Sequence, residues 1–588
     1  MIMKKLPKKH IPIFVLAFIL ITSLCAMIYF GNQKEGYHVD ELYSYGLANS
    51  EYLPYMHFGL SGYDVKDWMN EYGAGESFGD LFSNLIKDFK ILKECDFDFY
   101  GSEIYQAYLI AQANSADTYT TTWVPGQDYV DYLAVSESNT FNYASVYYNQ
   151  RGDVHPPFFY MLLHTICSIF QGSFSKWYGL ALNIMVLLTA LVVLYKMSEK
   201  HFGGSRAALV ITAVYAFSAG FMSTAMFIRM YALLTLMTLL CLYVHLEILK
   251  SDFKFTKKLI AALFFSVLGG YYTQYYFVLY AIVIAAVMIV IMSLHQKWKS
   301  AFTYVFTLAC AAVTGIIIWP FAIKHVFRGY RGTASLEVLK TGEFYMFKAE
   351  HMWGQIVSNI FGGHKWIPVL LVILAIIGCI VSRKKVSFAK LSLLCIPIVA
   401  YTYVVCQISP FLSDRYVMCT YPFWCIMVVS AVFFAAKAVS ARFSDKLSFG
   451  ADKLAFGTLL AASILLIGTN NYFINTPGYL NPGGQEAYEV PANTDCVFVI
   501  PDGSYNESSD ELNILAQCNR VGVVYEGIID ILATDYMQEA GDYLLIEVIN
   551  FLDENVVLDK VLKSLGATNY KEISRDYANC SVRILLKK

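Results

Sequence analysis

Apolar runs of about 20 residues recur along this chain, parted by short basic clusters or by long polar insertions. Each run long enough to cross a bilayer has to satisfy its own backbone as a helix. With 57% of its 588 residues hydrophobic, the chain reads as a polytopic α-helical membrane protein rather than a water-soluble one. A formal net charge of -2, with basic residues scattered between apolar runs rather than gathered into a stripe, implies no nucleic-acid partner and leaves membrane lipid as the surrounding medium.

The sidedness of the basic clusters sets the expected topology. Lys4, Lys5, Lys8 and Lys9 precede the run Ile11 to Phe30, which no small-residue cleavage site follows, so it is expected to be a retained first helix with a cytoplasmic amino end. Gly31 to Asp153 is polar, tyrosine-rich and external, and Ser77 to Lys93 carries apolar residues at helical spacing. If Phe158 to Phe170 crossed the membrane, Lys196, Lys200 and Arg206 and then Lys250 to Lys258 would fall outside, against the positive-inside rule. Taken instead as an interfacial external helix, it leaves spans near 177–196, 206–222, 228–249, 258–274, 276–294, 301–321, 366–381, 388–408, 415–437 and 453–470, with Gly269-Gly270 closing the fifth span before Tyr271. The expectation is therefore about eleven transmembrane helices, an external loop at 31–175, a mixed-charge external loop from Lys324 to Lys365, and an outer tail.

Within residues 471–588 the composition shifts to that of a soluble domain. Strand-like runs at Cys496 to Ile500, Val521 to Tyr525, Tyr543 to Val548 and Ser581 to Leu586 alternate with a helical pattern at Glu554 to Leu565. A small α/β extracytoplasmic domain is expected there, after a transmembrane domain at 1–470. Most of the thirteen cysteines lie in apolar spans and act as small hydrophobes, while Cys496, Cys518 and Cys580 in the tail have the means for one bridge.

Three constellations have the residue types for chemistry. Asp40 and Glu41 follow directly after the first span, among Tyr37, Val39, Leu42, Tyr43 and Tyr45. Such neighbours dehydrate a carboxylate and raise its basicity, although two acids beside a helix end are often ordinary solvated residues. Asp153-Val154-His155-Pro156-Pro157 comes second, its prolines fixing the start of a helix and so the direction of His155 and Asp153. An imidazole there can bond an acid, hold a phosphate or join a metal, or the motif can be a plain helix start; the spacing leaves these open. The third is a pair of arginines at outer span ends, Arg229 beside Tyr231 and Arg415 beside Tyr416. Each suits a lipid-linked phosphate, or else snorkels to headgroups or a local acid such as Asp414.

An acidic pair after the first span, a long external loop ending in a His-Pro-Pro helix and an arginine at the outer end of the fourth span together resemble the protein O-mannosyltransferase-like family of GT-C membrane glycosyltransferases. That family has the bacterial lipid A aminoarabinose transferases among its relatives. The resemblance covers roughly Ile11 to Tyr231, with the Arg415-Tyr416 start of a later span. It implies a GT-C-like fold and a polyprenyl-phosphate-linked sugar as donor. It further implies Asp40 as catalytic base with Glu41 in support, Asp153 and His155 lining the cavity, and Arg229 and Arg415, with Tyr231 and Tyr416 adjacent, holding the lipid phosphate. Metal use varies across the superfamily, so no metal is assigned. In those terms the chain is expected to be an integral-membrane glycosyltransferase of the cell membrane, inverting at the anomeric carbon, whose acceptor is a protein, a polymer or a lipid. The competing expectations are a flippase or transporter of polyprenyl-linked lipid, or a non-catalytic cell-envelope assembly protein. Transporters place ionisable groups near the bilayer midplane, whereas here the notable charges stand at outer helix ends.

Overall fold

The structure is a computed structural model that describes residues 11–52, 93, 123–327, 330–370, 373, 387–442, 451–480, 488–501, 511–533, 541–549, 552–567, 569–578 and 581–588. The expected helix at Ser77 to Lys93 and most of the expected span at 366–381 lie outside those residues. Internal contacts divide the chain into two compact units, one from the chain up to Gln33 with Leu180–Gly478, the other from Lys34–Gly179 with Tyr479–Lys588.

The first unit is a helical bundle. Among the described residues eight helices are long and apolar enough to cross a membrane: Ile11–Gln33 (α1), Lys176–His201, Tyr231–Lys250, Tyr276–Leu294, Trp298–Ile318, Phe388–Ile408, Met418–Ala438 and Lys453–Asn470. Large apolar side chains stand exposed on them, Phe18, Phe302 and Ile464 among others, as a lipid-facing surface requires. The protein is thus a multi-pass membrane protein. Two expected spans are realised differently. The stretch 206–222 is a helix at Gly204–Ala216 broken at Phe217 and Ser218, where the Ser218 hydroxyl accepts from the Phe221 N–H to start a second helix at Ala219–Met226. The stretch 258–274 is a 17-residue helix, Lys257–Thr273, and it continues through Gly269-Gly270 instead of ending there. A β-carbon on Gly270 would stand 2.3 Å from the Phe277 ring, so this glycine is a packing residue rather than a breaker. The stretch expected as a loop after Lys324 is largely helical, at Tyr330–Thr341 and Met346–Phe361, the second ending on left-handed Gly362.

In the second unit the helix Val39–Asn49 (α2) packs against Gly126–Leu133, Tyr143–Gly152 and Phe158–Ile169. Gly46 permits this closeness, because a β-carbon there would fall 2.2 Å from the Tyr132 ring. Asparagine amides tie the turns together: Asn49 donates to the Leu133 carbonyl at 2.7 Å, Asn139 to that of Asn49 at 2.8 Å and Asn149 to that of Ser50 at 2.8 Å.

The same unit contains a six-stranded sheet in the order β1-β3-β2-β4-β6-β5, from Val124–Pro125 (β1), Thr494–Ile500 (β2), Arg520–Tyr525 (β3), Tyr543–Ile549 (β4), Lys571–Ala578 (β5) and Ser581–Lys587 (β6). Strand β2 runs parallel to β3 and β4, while β6 runs antiparallel to β4 and β5. One sheet face, with Val497, Val499, Leu544, Ile546, Val548, Ile584 and Leu586, is covered by the helix Glu554–Ser564 through Val557 and Val561. On β4 and β6, Glu547 stands opposite Arg583, which also pairs with Glu511, and all three side chains are fully buried. The short β1 joins the 34–179 segment to this sheet, Val124 opposite Val521, and Arg520 lies over the Trp123 ring at 4.8 Å while holding Asp495 at 2.7 Å. Cys496 and Cys518 are buried free thiols, and Cys580 lies outside the described residues.

Candidate active site

The acidic pair expected from the sequence occupies the first turn of α2, and its two carboxylates are used differently. His38 is the N-cap: its Nδ1 accepts from the Asp40 N–H at 3.1 Å, and the Glu41 carboxylate reaches back to the His38 N–H at 2.8 Å. This is a capping box with histidine in the position usually held by serine or threonine. Acceptance at Nδ1 leaves the imidazole proton on Nε2. Glu41 is fully buried, 3.0 Å from the equally buried Lys34 ammonium. Asp40 keeps 20% of its side chain exposed, and its Oδ2 lies 3.8 Å from His38 Nδ1. The capped turn thus fixes the backbone that carries Asp40, while its side chain remains open to water. Burial first, and then the Glu41 charge, push the Tyr37 phenol well above its ordinary value, so that it is a neutral donor near Glu41.

The second constellation is formed as a hydrogen-bonded pair. His155 Nδ1 and Asp153 Oδ2 are 2.8 Å apart, and the Tyr160 hydroxyl donates to the same oxygen at 3.3 Å. Asp153 is the C-cap of the helix Tyr143–Gly152, and Pro157 is the N-cap of Phe158–Ile169. Both of those helices pack on α2, so the structure gathers the Asp-His pair and the Asp40 helix into one unit. An aspartate on one ring nitrogen orients the imidazole, an arrangement that suits a proton carrier or an anion ligand.

The arginines belong to the helical unit. Arg229 lies in the turn Phe227–Met230 before Tyr231–Lys250, 4% exposed, and the Asn183 amide pins that turn by donating to the Ala225 and Phe227 carbonyls at 3.1 and 2.7 Å. Arg415 stands in the short helix Asp414–Tyr416, 8% exposed, with its guanidinium 5.5 Å over the Phe411 ring and 5.1 Å over that of Tyr416, to whose hydroxyl it also donates at 3.3 Å. Tyr416 meets Tyr231 edge-on at 6.4 Å and Tyr276 at 5.8 Å. Three of the four expected phosphate-side residues, Tyr231, Arg415 and Tyr416, thus share one aromatic cluster. A guanidinium set among phenols in an apolar bundle suits an anionic lipid headgroup.

Three residues here escaped the sequence reading: Lys34, Tyr160 and Tyr276. A lone lysine seven residues before Glu41, just past an apolar span, was a legible signal for the first. The others are tyrosines among 44 and carry none. Among the described residues no group of three or more His, Cys, Asp or Glu side chains is placed to hold a metal ion.

No protein-family model matches the chain. No curated protein matches it. Among solved structures the chain is similar to ArnT from Cupriavidus metallidurans in the apo state, at 12% identity over 82% of this chain and 98% of that one with a TM-score of 0.41. It is also similar to ArnT from the same organism bound to undecaprenyl phosphate, at 12% identity over 73% of this chain and 87% of that one with a TM-score of 0.38.

Proposed function

We propose that the protein is an integral-membrane glycosyltransferase that moves a sugar from a polyprenyl-phosphate-linked donor to an acceptor at the outer face of the membrane. The observation that carries this reading is Asp40: a carboxylate shortly after a membrane span, carried on a capped helix turn and one-fifth exposed. In the proposed reaction an Asp40 oxygen takes the proton of the acceptor hydroxyl as that oxygen attacks the anomeric carbon. The bond from that carbon to the phosphate oxygen breaks, and the electron pair leaves with the lipid phosphate. Arg415 and Arg229 offset the growing charge, with Tyr231 and Tyr416 beside them, and displacement in one step inverts the anomeric carbon. His155, oriented by Asp153, contacts the sugar or the acceptor, and Glu41 supports Asp40. The amino terminus lies in the cytoplasm and the sheet-bearing tail outside.

The test is to incubate membranes containing the protein with a panel of radiolabelled undecaprenyl-phosphate sugars and to follow the label. Appearance of the label on a new molecule is the expected result. Movement only across the bilayer would make the protein a flippase, and no change in the label would leave a non-catalytic role.

A further inference from the structure

Behind Asp40, three stretches remote in sequence meet on one lysine. The Lys34 ammonium is fully buried, bonded to Glu41 Oε2 at 3.0 Å and to the backbone carbonyl of Tyr479 at 2.6 Å. The Lys176 ammonium closes the other side by donating to the Lys34 carbonyl. Next to it, the Glu35 N–H donates to the Leu480 carbonyl at 2.7 Å. The Tyr479 ring stands edge-on to His38, the cap of α2, with centroids 6.1 Å apart. Tyr479 itself holds a φ of 64°, in the left-handed region that a bulky residue rarely occupies. That backbone state is the one in which its carbonyl meets Lys34, so the surrounding contacts outweigh its strain.

A capping glutamate works at a solvated helix end without help. Burying an ammonium against it gains little net stability, because desolvation offsets the attraction. What Lys34 adds is connection: its second bond runs to the chain that begins the tail, and its partner Glu41 is the residue that fixes the turn carrying Asp40. We propose that Lys34 is a positioning residue, and that through it Tyr479 and Leu480 form part of the mounting of Asp40. The tail is then tied to the 34–179 segment at the proposed base as well as through β1. For its rate readout this rests on the transferase reading; for its structural readout it does not.

The experiment uses the full-length protein in lipid nanodiscs, as Lys34→Met and as the charge-balanced Lys34→Met/Glu41→Gln. In the second variant glutamine retains an acceptor for the His38 N–H and no buried charge is stranded. Hydrogen–deuterium exchange is expected to speed up about tenfold or more in residues 36–43 and 476–480 together, with β2 and β4 unchanged. Turnover of the lipid-linked sugar is expected to fall about tenfold or more with the donor KM within about twofold, the split that misplacement of a reacting group produces. Wild-type exchange at 36–43 in the double variant overturns the proposal, and so does faster exchange there with unchanged kcat. An Asp40→Asn protein that transfers sugar at full rate would instead remove Asp40 from the mechanism while leaving the transferase reading, and the exchange data then decide the coupling on their own.

Discussion

A guanidinium differs from an ammonium in shape more than in charge, and Arg415 is where that difference has consequences. Its fork lies over two aromatic rings and reaches one phenol, a geometry that a lysine cannot reproduce. Arg415→Lys is expected to lower kcat/KM for the lipid-linked sugar about 10- to 100-fold, and Arg415→Ala more; steady-state kinetics in detergent micelles measure both. The candidate site was legible at this scale where residue type and placement coincide. Asp40, Glu41, Asp153, His155, Arg229 and Arg415 are chargeable groups at the borders of apolar runs, and the structure buries or pairs nearly all of them. The division of labour within the acidic pair was not legible. Nothing in adjacent Asp and Glu says which one turns inward, because that follows from Lys34 and from the Tyr479 carbonyl, far along the chain.

At the scale of elements, the tail strands were readable because β2, β3, β4 and β6 are buried apolar runs bounded by polar turns. Strand β5 was not, since Lys571–Ala578 is a polar edge strand with largely exposed side chains. Nor was β1, whose two residues find their partner almost 400 positions away, and pairing of that kind leaves no local period. Two buried groups give this unit opposite responses to pH. Burial pushes His164 down to about 4. The folded unit therefore resists binding a proton that the unfolded chain takes up near pH 6.5, and stability falls as pH drops from there toward 4, by up to about 3 kcal/mol. Burial first, and then the neighbouring Glu511 charge, raise Glu547 well above the carboxylate range against the pull of Arg583. Its contribution is complete below the unfolded value of about 4.3 and is lost as pH rises through the raised value. Thermal melts followed by circular dichroism should show His164→Phe flattening the acid side and Glu547→Gln flattening the alkaline side. Unchanged profiles in both variants would remove these groups from the pH response.

At the scale of the molecule, apolar run lengths with basic clusters between them were enough to find the bundle, because bilayer thickness acts on every span alike. The breaks inside it were harder to see: the helix end at Phe217 and Ser218 depends on a single hydroxyl cap, and apolarity is continuous across it. The proposed orientation makes a direct prediction. In intact cells Lys588→Cys in the tail should react with a membrane-impermeant maleimide and Lys254→Cys should not, each compared with the parent protein; the reverse pattern inverts the topology. The central claim is that Asp40 is the proton acceptor of a sugar transfer, and Asp40→Asn tests it most directly in the radiolabelled donor assay. The account predicts a loss of about 1,000-fold in transfer rate, with membrane insertion and melting temperature unchanged. A variant that transfers the sugar at the wild-type rate would contradict it.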